Sequence, residues 1–98
     1  MAKYLMTWEA NESLLPTDPK EKGALVLKLA EMTKQTMKEG KVKDWGTFLG
    51  GAKGYAIAEG SALEVFQEAE KFAPYVSFNV QEVLSIDDLI KTFKTMMG

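Results

Sequence analysis

From Lys3 to Glu9 apolar and polar positions alternate, with Tyr4, Met6 and Trp8 on one side and Leu5 and Thr7 on the other. Period-two alternation in a run of β-formers predicts a strand with one strongly apolar face. Asn11, Ser13 and Pro16 mark a loop, and Asp18-Pro19-Lys20-Glu21 then starts a helix. Asp18 suits the N-cap, Pro19 the first helical position, and Glu21 the third position that reaches back. The helix is predicted to run to about Glu39 and stop at Gly40. Leu25, Val26, Leu29, Met32, Thr33 and Met37 share its apolar side, while Leu27 falls off the stripe, facing solvent or a second subunit.

Lys41 to Leu49 reads as a second strand, Gly50-Gly51 as a tight turn and Ala52 to Glu59 as a third strand. A two-residue turn sets Trp45 opposite Ala56 and Tyr55 opposite Gly46, so each large ring meets a small neighbour. Ser61-Ala62-Leu63-Glu64 is a capping box. It opens a helix with Ala62, Val65, Phe66, Ala69 and Phe72 on one side, ending before Pro74. Val76 to Leu84 alternates again, and Ser85-Ile86-Asp87-Asp88 starts a last helix, about 86–97, striped by Ile86, Leu89, Ile90, Phe93 and Met97.

The order β-α-β-β-α-β-α contains strand-helix-strand twice, which is the ferredoxin-like α+β arrangement with an extra C-terminal helix. Right-handed crossovers give an antiparallel sheet ordered 4-1-3-2 with both main helices on one face. At 98 residues the whole chain, 1–98, is one domain with the third helix as an appendage.

Composition narrows the chemistry. The chain has no cysteine, no histidine and no arginine, all twelve basic residues being lysines, and its net charge is −2. Disulfides, thiolate nucleophiles, histidine triads and ordinary zinc sites are excluded, so no metal or cofactor is expected. The acidic balance and missing guanidinium forks argue against nucleic acid. No apolar run approaches the ~20 residues that span a bilayer, and no signal core precedes the first strand, so a cytoplasmic location and no membrane partner are expected. Gly50-Gly51-Ala52-Lys53-Gly54 leads into a strand rather than a helix, which makes it a hairpin turn and not a phosphate loop.

A four-stranded sheet with helices on one side leaves its other face bare. Here both faces of the first strand carry apolar groups, and the hairpin splits its large residues, Trp45 and Leu49 on one face and Phe48, Tyr55 and Ile57 on the other, so either face left bare holds an apolar patch. Such a patch is larger than a soluble monomer normally exposes, so a homodimer or higher oligomer is expected, with the third helix covering part of the surface or reaching the partner. Six segments carry a family resemblance through their order: residues 4–9 (Tyr-Leu-Met-Thr-Trp-Glu), 18–20 (Asp-Pro-Lys), 38–40 (Lys-Glu-Gly), 43–48 (Lys-Asp-Trp-Gly-Thr-Phe), 54–60 (Gly-Tyr-Ala-Ile-Ala-Glu-Gly) and 83–87 (Val-Leu-Ser-Ile-Asp). In these the chain resembles the dimeric α+β barrel superfamily, and a small family of unassigned function within it. The resemblance implies two sheets closing a barrel across a twofold axis. Muconolactone isomerases, cofactor-independent monooxygenases and ligand-sensing domains share that shape, so the resemblance implies form more than activity.

Trp8 and Glu9 close the first strand beside the starts of strands three and four. A small aromatic site there would have Trp8 and Tyr55 as walls, Ser77 or Asn79 orienting a small-molecule ligand, and Glu9 as a proton-transfer base raised by burial. In the plainer reading, Glu9 pairs with Lys53 at the surface and the rings fill the core. The expected function is therefore binding of a small, largely apolar or aromatic molecule by a dimeric domain. A cofactor-independent isomerase or monooxygenase using Trp8 and Glu9 is the alternative, and a purely structural or assembly role is a third.

Overall fold

The computed structural model describes residues 2–98; Met1, which the single-domain reading included, lies outside the described residues. Eight elements follow one another: β1 (Ala2–Ala10), a 3-10 turn (Glu12–Leu14), α1 (Pro19–Lys38), β2 (Val42–Thr47), β3 (Lys53–Gly60), α2 (Ala62–Glu70), β4 (Val76–Val83) and α3 (Ile86–Met97). The sheet is antiparallel and open, in the order β2-β3-β1-β4. This is the α+β architecture and strand order that the pattern predicts.

Local chemistry fixes the element boundaries. The Asp18 carboxylate accepts from the Glu21 amide at 3.1 Å, and Pro19 occupies the first turn of α1. Ser61 with Glu64, and Ser85 with Asp88, each form a reciprocal capping box at the starts of α2 and α3. Both boxes satisfy helix-end donors that would otherwise be unpaired. The hairpin keeps the expected register, Trp45 opposite Ala56 and Gly46 opposite Tyr55. Its strands are shorter than predicted, however, stopping at Thr47 and resuming at Lys53. Leu49 is therefore a fully exposed turn residue and not part of the strand face assigned to it. A bulge between Val42 and Asp44 turns Asp44 to the side opposite Val42.

Strand parity then sorts the side chains. Tyr4, Met6 and Trp8 face the helices with Trp45, Ala56, Ala58 and Phe78, and the buried core is Met6, Ala56, Ala58 and Val65. On the open face the register sets Leu5 beside Ile57, Thr7 beside Tyr55 and Asn79, and Glu9 beside Lys53 and Ser77. Asn11 ties the end of β1 to the approach to β4. Its amide nitrogen donates to the Tyr75 carbonyl at 2.8 Å, its side chain donates to the Pro74 carbonyl, and its carbonyl oxygen accepts from Ser77 Oγ at 3.1 Å.

The helices seat less deeply than the stripes predict. In α1 only Thr36 is buried, and Val26 is 48% exposed. In α2 Val65 is buried while Phe66 is 61% exposed. α3 buries none of its own residues. The chain measures 62 × 26 × 19 Å with a radius of gyration of 16.4 Å. A compact chain of this length has a radius of about 12.6 Å. Among the described residues, no helix is long and apolar enough to cross a membrane.

Candidate functional site

The helix face of β3 carries Gly54, Ala56, Ala58 and Gly60, all buried and all small. β3 is an inner strand, so this row forms a low floor between the rings and longer side chains that rise from β1, β2 and β4. With α1 standing off the sheet, the space above the floor stays open as a cavity of about 430 Å³. That volume lies within the range of small-molecule sites, ~300–1,000 Å³.

Trp8 and Trp45 form one wall. Their rings are stacked, with centroids 5.4 Å apart and planes 10° from parallel. They come from β1 and β2, on either side of β3, and the Trp8 ring reaches across by lying over Gly54. A Cβ at position 54 would collide with that ring and with the Gly46 carbonyl, so the glycine makes the stack possible. Further along, Phe72 and Phe78 meet edge to face at 6.0 Å. Among the described residues the Trp8 indole N–H is buried without an acceptor. An unpaired buried donor is costly, and a ligand oxygen placed there would recover that cost.

Polar groups gather at the two ends. At one end Lys22 pairs with Glu12 at 3.4 Å. At the other, Glu68 Oε1 accepts from Lys41 and from Lys71, each at 2.9 Å, and Thr36 Oγ1 lies 3.5 Å from Glu68 Oε2. Partial burial pushes the Glu68 carboxyl up, yet the two lysines outweigh burial and hold it below the ordinary value of 4.5. Lys41 is raised above its ordinary 10.5 chiefly by its hydrogen bond to Glu68. Glu64 is lowered by the backbone amide of Ser61 in the helix cap. Lys41, Glu64 and Glu68 are thus committed to partners in the folded chain.

Of the residues predicted from sequence, only Trp8 lines this cavity. Glu9, Tyr55, Ser77 and Asn79 stand on the opposite side of the sheet, so the structure does not bring Trp8 together with the other four. Glu9 pairs with Lys53 at 3.9 Å, with both side chains 62% exposed, so it stands at the surface as in the plainer reading. Tyr55 donates its hydroxyl to Asp44 at 3.0 Å, which raises the phenol above its ordinary 10.0. Its ring lies over Gly46 and stacks with Phe48 at 6.5 Å. Ser77 is engaged by Asn11, and Asn79 is exposed. Sequence reasoning missed Thr33, Thr36, Lys41 and Glu68 as lining residues; only the place of Thr33 on the apolar side of α1 hinted at any of them. Compared with known proteins, the chain matches no family model and no curated protein.

Proposed function

We propose that the chain binds a small, largely apolar or aromatic molecule in the cavity between its sheet and its helices. The observation that carries this reading is the hollow itself, walled by two stacked indoles and containing a buried N–H with no acceptor. A flat ring with one carbonyl or carboxylate oxygen suits both features. The isomerase or monooxygenase reading needs a free proton-handling group beside that ring. Glu9 is on the other side of the sheet, Lys41, Glu64 and Glu68 are already paired, and Glu59 sits at the end of β3 away from Gly54 and the Trp8 ring, so binding is the better-supported activity. In the same proposal two chains work together, their open faces meeting around Leu5, Tyr55, Ile57 and Phe48 as in a dimeric α+β barrel. An assembly role without ligand is the second reading, favoured by the unburied stripe of α3.

A thermal-shift screen of small aromatic acids and quinone-like compounds tests the binding reading. A ligand at a hundred times its Kd stabilises by about 2.7 kcal/mol, a shift of roughly 10 °C or more for a domain of this size. That shift is expected for the parent and lost in Trp8→Ala and in Ala56→Leu, which fills the floor. Equal stabilisation of the parent and both variants would refute the site.

A further inference from the structure

Among the described residues α3 is an amphipathic helix with no buried side chain. On a helical wheel Ile86, Leu89, Ile90, Phe93, Met96 and Met97 fill one arc, and they are between 46% and 87% exposed. Ile86, Leu89, Phe93 and Met96 follow the a and d positions of two heptads, the seam of paired helices. The chain exposes 7232 Å². A compact monomer of 10.9 kDa exposes about 5,600 Å², which leaves a surplus of about 1,600 Å². A standard stable interface removes about 800 Å² per partner, and the surplus, which α3 shares with the open sheet face and the hollow under α1, exceeds that.

We infer that α3 is a dimerisation arm that pairs antiparallel with α3 of a second copy of this chain. Charge fixes the partner and the direction. Asp87 and Lys94 lie seven residues apart on the same flank of the stripe. In an antiparallel pair like flanks meet, so Asp87 of each copy lies beside Lys94 of the other, twice across the axis. A parallel pair would instead bring Asp87 near Asp88 of its mate. The antiparallel seam layers Ile86 on Met96 and Leu89 on Phe93, with the twofold axis near Lys91. Because the same patch meets itself, the contact closes and does not propagate. The Ser85–Asp88 capping box prepares the arm as a helix before it pairs.

This inference rests on the paired-chain reading above, and cysteine cross-linking with sedimentation separates the two. The sequence has no cysteine, so single substitutions report cleanly. Ile90→Cys sits near the axis and is expected to give a disulfide-linked band of two chains on a non-reducing gel. Ile86→Cys is expected to stay as one chain, because its mate lies about 15 Å away along the helix at ~1.5 Å per residue. Cross-linking of Ile86→Cys would mean a parallel pair and overturn the inference. A mass of two chains with neither variant linking would overturn the α3 pair while leaving the open-face dimer, and a mass of one chain would overturn both. Asp87→Lys is expected to raise the dimer dissociation constant about tenfold, and adding Lys94→Asp to restore most of it. Failure of that rescue also counts against the pair.

Discussion

Single atoms decide whether the indole wall exists. The Trp8 ring occupies the place a side chain at position 54 would need, so Gly54→Ala is expected to push the rings apart. The cost is about 1–3 kcal/mol, as for other overpacked core positions, read as a lower urea midpoint with an unchanged slope. Glu68 gives a pH signature. Its folded value lies below the ordinary 4.5, so its contribution to stability is complete above that value and is lost as pH falls through the folded one. Melting temperatures between about pH 5 and pH 2 should therefore fall less steeply for Glu68→Gln than for the parent. Residue parity also explains what sequence reading missed at the site. Trp8, Glu9, Tyr55, Ser77 and Asn79 share one end of the sheet, which the topology made legible. Tyr55 and Asn79 are register partners of Thr7, and Ser77 of Glu9, one residue from Trp8 and so on the other face. The Lys41–Glu68 pair joins residues 27 apart through tertiary distance alone, which no spacing rule encodes.

Elements were readable where their signals are local. The caps at Asp18, Ser61 and Ser85 and the Trp45–Ala56 register all depend on neighbours along one strand or one helical turn, and each appears in the fold. Seating depth was not readable, because the small floor of β3 lowers the surface that α1 and α2 rest on. A helical stripe states which side is apolar and not how far it sinks, so Val26 and Phe66 remain in water within one chain. The two capping boxes should behave differently on substitution. Ser61→Ala weakens a helix anchored by buried Val65 and should cost about 1 kcal/mol of global stability. Ser85→Ala weakens a helix without such anchorage. Under dilute conditions its effect should appear as faster amide exchange within α3 alone, while the sheet amides keep their protection.

At the scale of the molecule, one chain alone is extended and leaves apolar surface in water on both the open sheet face and α3. Association that buries this surface stabilises by mass action, so the melting temperature should climb with chain concentration. A midpoint constant across a hundredfold dilution range would leave the single chain as the stable unit. The stacked indoles have a consequence at this same scale. They are the only two tryptophans in the sequence, so nearly all of the molecule's ultraviolet emission originates at one spot on the cavity wall. Rings this close and this parallel couple their transitions, and a guest inserted beside them would alter both brightness and dichroic sign. On the proposed binding reading the protein therefore carries a built-in optical gauge, by which occupancy would be followed without any label.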